Sequence, residues 1–202
     1  MGKLVVFGAG GRAGKLVVAE AQGRGHEVTA LSRAEGDVTD LDAVVRLTAG
    51  HDAAVLAATP ASSPAELAAA TWDRRFFVKA ADALLASRVP RLVVIGLFAN
   101  LITPSSGRVR DDPALFPPSL KEFALAHAAG VDRLAAADTE VDWVVLTPPA
   151  ALAYDGVRTG RYLTGGEVAP AGGLSYSDLA VAVVDEAFAP TRHRVLVSVF
   201  SG

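Results

Sequence analysis

The sequence predicts an α/β fold, a doubly wound and mostly parallel sheet with helices on both faces. Three observations predict it. Short β-branched runs alternate with longer Ala-rich runs along the whole chain. The first apolar run opens onto Gly8, Gly11 and Gly14, spaced by three, and then onto a helix-like stretch. No internal repeat or low-complexity linker interrupts the alternation, and 202 residues suit one domain better than two.

The elements follow in order. Residues 3–7 read as a strand and 12–23 as a helix, from the apolar spacing of Leu16, Val17 and Ala19 to Ala21. A second strand covers 26–32, and a helix covers about 40–48. Residues 52–58 are apolar without alternation, as a parallel strand buried on both faces should be. Ser63, Pro64 and Glu66 form a capping-box signature, predicting one helix from 63 to about 87, before Pro90. A fourth strand spans 91–96. A loop with Pro104, Gly107, Pro117 and Pro118 spans 101–118, a helix about 119–137, and a fifth strand 141–147. After Pro148 and Pro149 the texture changes. Residues 161–168 suggest a hairpin turning at Gly165 and Gly166. Ser175, with Asp178 three later, caps a helix to about 189, and 194–199 form the last strand. The reading is one domain over 1–202, with substrate-side elements at about 101–118 and 150–178.

Composition excludes several functions. Hydrophobic residues make up 51% of the chain, yet no run approaches the roughly 18 apolar residues of a membrane span. The N-terminus lacks the apolar stretch and small-residue cleavage site of a signal peptide. With no cysteine there is no disulfide, thiol nucleophile or thiolate metal site. A cytoplasmic location is the expectation. Scattered charges and a net charge of -3 argue against a nucleic-acid surface. His26, His51, His127 and His193 fall in separate elements, so no metal site is expected.

The glycines point to a ligand. Gly8 ends a strand in a tight turn, Gly10 and Gly11 let backbone approach a phosphate, and Gly14 lets the helix pack close to the sheet. Arg12 and Ala13 open that helix, whose amides and partial positive charge suit a diphosphate. The flanking strands and a βαβ length of about 30 residues complete the context of a dinucleotide-binding Rossmann fold. At the end of the second strand, where an NAD site places an acid, stands Arg33. With Arg12 it suits the 2′-phosphate of NADP, which is preferred here over NAD.

At this point the chain resembles the atypical short-chain dehydrogenase/reductases. More narrowly, it is similar to the small NAD(P)H-binding group of NADH-flavin reductase and flavin/biliverdin reductase type. The resemblance covers essentially the whole chain. It rests on the 8–14 glycine segment, on 36–40 (Gly-Asp-Val-Thr-Asp), and on Phe116 and Pro117 before a helix. It continues through 142–149, 156–160 and 175–180. It implies that Asp37 and Val38 flank the adenine, and that Ala57, Ala58 and Thr59 pass beneath ribose and diphosphate. It also implies that Pro148, Pro149 and Ala150 border the nicotinamide.

Typical short-chain dehydrogenases use a Tyr with a Lys four residues on. Tyr154, Tyr162 and Tyr176 are followed at that spacing by Arg158, Gly166 and Ala180. The resembled group often ends the fourth strand with a serine or threonine, where this chain has Gly96, Leu97 and Phe98. The remaining candidates for proton handling are His127, Lys121 and Asn100; Ser105 and Ser106 are accounted for as turn residues. Hydride transfer to a flavin, quinone or other conjugated acceptor needs no side-chain acid, because solvent can supply the proton. The expected function is therefore an NADPH-dependent reductase acting on such a small molecule, as a monomer or small homo-oligomer. The alternatives are a non-catalytic NADP sensor of the NmrA-like kind, and a cofactor-using lyase or isomerase of specialised metabolism.

Overall fold

In β1 (Lys3–Phe7) every residue after Lys3 is buried, because the strand lies inside a sheet covered on both faces. Its side chains alternate between two cores. Leu4 and Val6 join Val17, Val55, Leu146 and Val183 on one face. Val5 and Phe7 join Leu56, Leu84, Leu92 and Trp143 on the other. The computed structural model describes all residues except Ala70 and Ser106. Ser106, considered above as a turn hydroxyl, thus lies outside the described residues, whereas Ser105 Oγ shares a 3.0 Å hydrogen bond with Thr103.

The other elements, in order, are α1 (Arg12–Gly23), β2 (Glu27–Leu31), α2 (Leu41–Thr48), β3 (Ala53–Leu56), α3 (Pro64–Ala69) and α4 (Phe76–Ala86). Then come β4 (Arg91–Ile95), α5 (Lys121–Ala135), β5 (Asp142–Thr147), β6 (Leu152–Ala153), β7 (Leu163–Thr164), β8 (Leu174–Ser175), α6 (Tyr176–Phe188) and β9 (Val195–Phe200). The main sheet has the order β2-β1-β3-β4-β5-β9-β7. All its neighbours are parallel except β7 with β9. Helices α1 and α6 pack together on one face, while α4 packs between α2 and α5 on the other. The chain leaves β1 toward β2 and then crosses back to β3, so a crevice opens at the carboxyl ends of β1 and β3.

Two expectations are corrected. The single helix over 63–87 is two helices. The capping signature starts α3, where Ser63 Oγ accepts from the Glu66 amide and Glu66 accepts from the Ser62 amide. Trp72 then folds back, its indole N–H donating to the Leu67 carbonyl at 2.9 Å. Asp73 accepts from the Arg75 amide and from Lys79, and its carbonyl receives the Phe76 amide, so a new helix begins. The break lets Trp72 and Phe77 meet Phe123 edge-on. The hairpin at Gly165 and Gly166 is also absent. Leu163 and Thr164 instead pair with Phe200 and Val199, and Val168 bridges to Ile102. Each half of the expected hairpin finds a distant partner.

The amino end of the sheet carries a buried ion cluster. Arg91, 4% exposed, donates to Glu186 Oε2 and to Asp142 Oδ2, each at 2.8 Å, and to the backbone carbonyls of Glu186 and Arg192. Glu186, 2% exposed, also accepts from Thr191 and the Arg192 amide. The cluster ties β4, β5, α6 and the turn into β9 together.

Candidate functional site

The crevice is the mouth of a cleft of about 950 Å³ along the carboxyl ends of β1 to β5. Its first wall is the glycine turn. Gly8 has φ +86°, a left-handed conformation that glycine adopts freely, and its amide bonds the Leu31 carbonyl. A Cβ on Gly14 would lie 2.2 Å from the Gly8 carbonyl oxygen, so only glycine lets α1 start this close to the turn. A Cβ on Gly10 would meet nothing within 4 Å, because Gly10 faces the open cleft.

The start of α1 is bare. Asp40 caps α2 and Ser175 caps α6 through side-chain oxygens, but α1 has Gly11 at its cap and no carboxylate in its first turn. The amides of Arg12, Ala13 and Gly14 have no acceptor within the helix. Free amides, a positive helix end and an unobstructed approach over Gly10 fit a diphosphate.

The remaining cofactor candidates are distributed around the same cleft. Gly8, Gly10, Gly11, Arg12, Ala13, Arg33, Asp37, Val38, Ala57, Ala58 and Thr59 line one half, and Pro148, Pro149 and Ala150 line the other. Gly14 is buried behind the turn and does not line it. Arg33 is exposed, and its Nη2 donates to the Thr59 carbonyl at 2.9 Å, so the guanidinium spans from the end of β2 to that of β3. The nearby acid Glu35 turns back onto Ser32, whose hydrogen bonding holds its carboxyl below the ordinary value. Asp37 Oδ1 accepts from the Thr39 amide and hydroxyl.

The three proton-handling candidates are not brought together at the cleft. Lys121 is exposed at the start of α5 and bridges Asp111 at 2.8 Å, outside the cleft. Asn100 is buried behind the cleft wall, where its carbonyl groups receive Arg108 and Arg110, each at 2.7 Å. Only His127 lines the cleft, and its ring nitrogens are both engaged. Nε2 lies 3.3 Å from the Ile95 carbonyl, so it carries the proton, and Nδ1 accepts from Asn100 Nδ2 at 3.3 Å. Burial against Phe77 pushes the His127 pKa down to about 4, partly opposed by the bond to Ile95. At neutral pH this imidazole is uncharged.

That burial has a measurable consequence. The folded pKa lies below the unfolded value of about 6.5, so the unfolded chain binds more protons between those values. Stability from this group is complete above pH 6.5 and falls as pH drops toward 4. The expected loss is about 3 kcal/mol by pH 4. Urea unfolding of the parent and His127→Gln should show a shallower acid slope in the variant; parallel slopes refute it.

Sequence reasoning missed most of the aromatic wall. Phe76, Phe77, Phe116 and Phe123 line the cleft beside Leu97 and Phe98, and Tyr176 lines it beside Pro149 and Leu152. The stripe Phe123, His127, Gly130 and Leu134 has the i, i+4, i+7, i+11 spacing of a buried face, a signal that places His127 inside. No helix of the described residues is long and apolar enough to cross a membrane. The described residues hold no group of three His, Asp or Glu arranged to bind a metal ion.

Comparison with known proteins follows the same lines. Residues 8–190 match the NAD(P)H-binding family. The uncharacterised YwnB protein of Bacillus subtilis is 31% identical over 91% of both chains. A "putative NADH-flavin reductase" from Streptococcus pneumoniae superposes with a TM-score of 0.82 at 27% identity, covering all of both chains. A "putative epimerase" from Bacteroides thetaiotaomicron gives a TM-score of 0.85 at 26% identity, covering 99% of this chain and 97% of that one. Bare amides at α1, a switch-point cleft and a match over nearly the full length agree: the chain belongs to the NAD(P)H-binding family.

Proposed function

We propose that the protein is an NADPH-dependent oxidoreductase that delivers hydride to a flavin, a quinone or another flat conjugated small molecule. The observation that carries this reading is the chemistry of the cleft's far end. Beyond the candidates for the cofactor, the described lining side chains are aromatic or aliphatic, apart from Ser32, Ser62, the Tyr176 hydroxyl and the neutral His127. An uncharged conjugated ring gains dispersion and stacking there, and nothing opposes it with a desolvated charge. The similarity to the pneumococcal protein supports the same class.

Bound NADPH would supply a hydride from its nicotinamide ring. Gly10 to Ala13 would hold the diphosphate, and Asp37 and Val38 the adenine. Arg33 and Arg12 would meet the 2′-phosphate, while Pro148 to Ala150 would border the nicotinamide. The apolar wall would exclude water and align the acceptor. Solvent would supply the proton that completes the reduction. The partner is a small molecule, and the protein would act as a monomer or small homo-oligomer.

Purified protein mixed with NADPH and a panel of flavins and quinones should oxidise NADPH well above the uncatalysed rate. Tight NADP(H) binding with no turnover across the panel would indicate a sensor. Conversion of an organic substrate with no net NADPH consumption would indicate a lyase or isomerase. The preference for NADP has its own test. Losing charge-assisted bonds from Arg33→Ala should raise the NADP dissociation constant about 10- to 100-fold and leave NAD nearly unchanged. Equal weakening of both, by calorimetry, removes the argument for a 2′-phosphate.

A further inference from the structure

We propose that the Tyr176 hydroxyl donates a hydrogen bond to the acceptor, at the oxygen or nitrogen that gains negative charge as hydride arrives. The assignment rests on the reductase reading above. Tyr176 is the first residue of α6, directly after its cap Ser175. The small β6–β8 ladder pairs Ala153 with Ser175, which sets Tyr154 and Tyr176 at matching positions. Their rings meet at 5.7 Å and 70°, edge to face. Tyr176 is therefore braced from outside by Tyr154 while it lines the cleft beside Pro149, Ala150 and Leu152.

Three other polar side chains are spent or enclosed. His127 uses both ring nitrogens. Thr147 is 0% exposed, and its hydroxyl is roofed by Gly96, where a Cβ would lie 2.0 Å from Oγ1. Tyr162, away from the cleft, gives its hydroxyl to Asp185 at 2.9 Å. Among the described residues the Tyr176 hydroxyl has no hydrogen-bond partner, and the ring lines the cleft.

The balance is simple. One hydride reduces the acceptor by two electrons and leaves the cofactor oxidised. One proton from solvent then completes the reduced acceptor. Tyr176 keeps its own proton and acts as a fixed donor, so its contribution belongs to the transition state.

Tyr176→Phe keeps the ring and removes the donor. It should lower kcat/KM for the acceptor by about 10²-fold, the scale of one preorganised donor. The NADPH dissociation constant, read by nicotinamide fluorescence, and the melting temperature should not move. Unchanged turnover overturns the assignment. A weakened NADPH affinity with normal kcat also overturns it, because the hydroxyl would then serve the cofactor. A parent protein that reduces no acceptor in the panel overturns the reductase reading, and this assignment with it; normal parent turnover separates the two failures.

Discussion

Gly8→Ala should lower the melting temperature by roughly 10 °C and abolish measurable dinucleotide binding. The cause lies in the backbone. Gly8 sits at φ +86°, and a Cβ there would lie 2.5 Å from the Ala58 nitrogen and 2.6 Å from the Ala57 carbonyl carbon. Those atoms belong to the segment leaving β3 and cannot swing aside as a side-chain tip could. Left-handed strain and overpacking together cost about 3–4 kcal/mol. In a chain of this size, each kcal/mol shifts the melting temperature by about 2–4 °C. Relief requires the turn to separate from β3, which displaces the amides at the start of α1. Gly10→Ala is the contrast. Its Cβ meets no protein atom within 4 Å, so the melting temperature should stay within about 2 °C while dinucleotide affinity falls at least tenfold. Thermal melts and calorimetry on the pair separate a folding role from a ligand role. Equal affinities for Gly10→Ala and the parent would mean that no phosphate passes over that turn.

Glu186→Ala should cost about 3–5 kcal/mol of folding stability, the penalty for leaving a buried charge without its counter-ion. Arg91 would keep Asp142, but Asp142 is more exposed and already receives His193 at 2.8 Å. Thr191 and the Arg192 amide would lose their acceptor as well. Adding Arg91→Met should recover much of the loss, because the uncompensated cation leaves with it. Chemical denaturation at neutral pH measures both. A single-variant loss below about 1 kcal/mol would show that water reaches the cluster on demand.

The fold was legible because its signals are local. Strand hydrophobicity, the glycine turn and the caps at Ser63 and Ser175 each sit within a few residues of the structure they specify. The lining of the cleft along the ends of β1, β2, β3 and β5 was legible for the same reason, since those ends can be counted along the chain. What the sequence hid depends on distant partners. The break before α4 needs Trp72 to find both Leu67 and Phe123. The 163–168 segment chose β9 and Ile102 over its own halves. Asn100 lost its place as a candidate because Arg110, ten residues on, claims its side-chain oxygen.

The short antiparallel strand β7 lies along the outer side of β9, and the Gly165 amide and Gly166 carbonyl extend its bonding to Ser198. The final residues of β9 therefore offer no vacant ladder to a strand from another molecule. By folding 163–166 back onto its own margin, the chain blocks one route to sheet-to-sheet polymerisation.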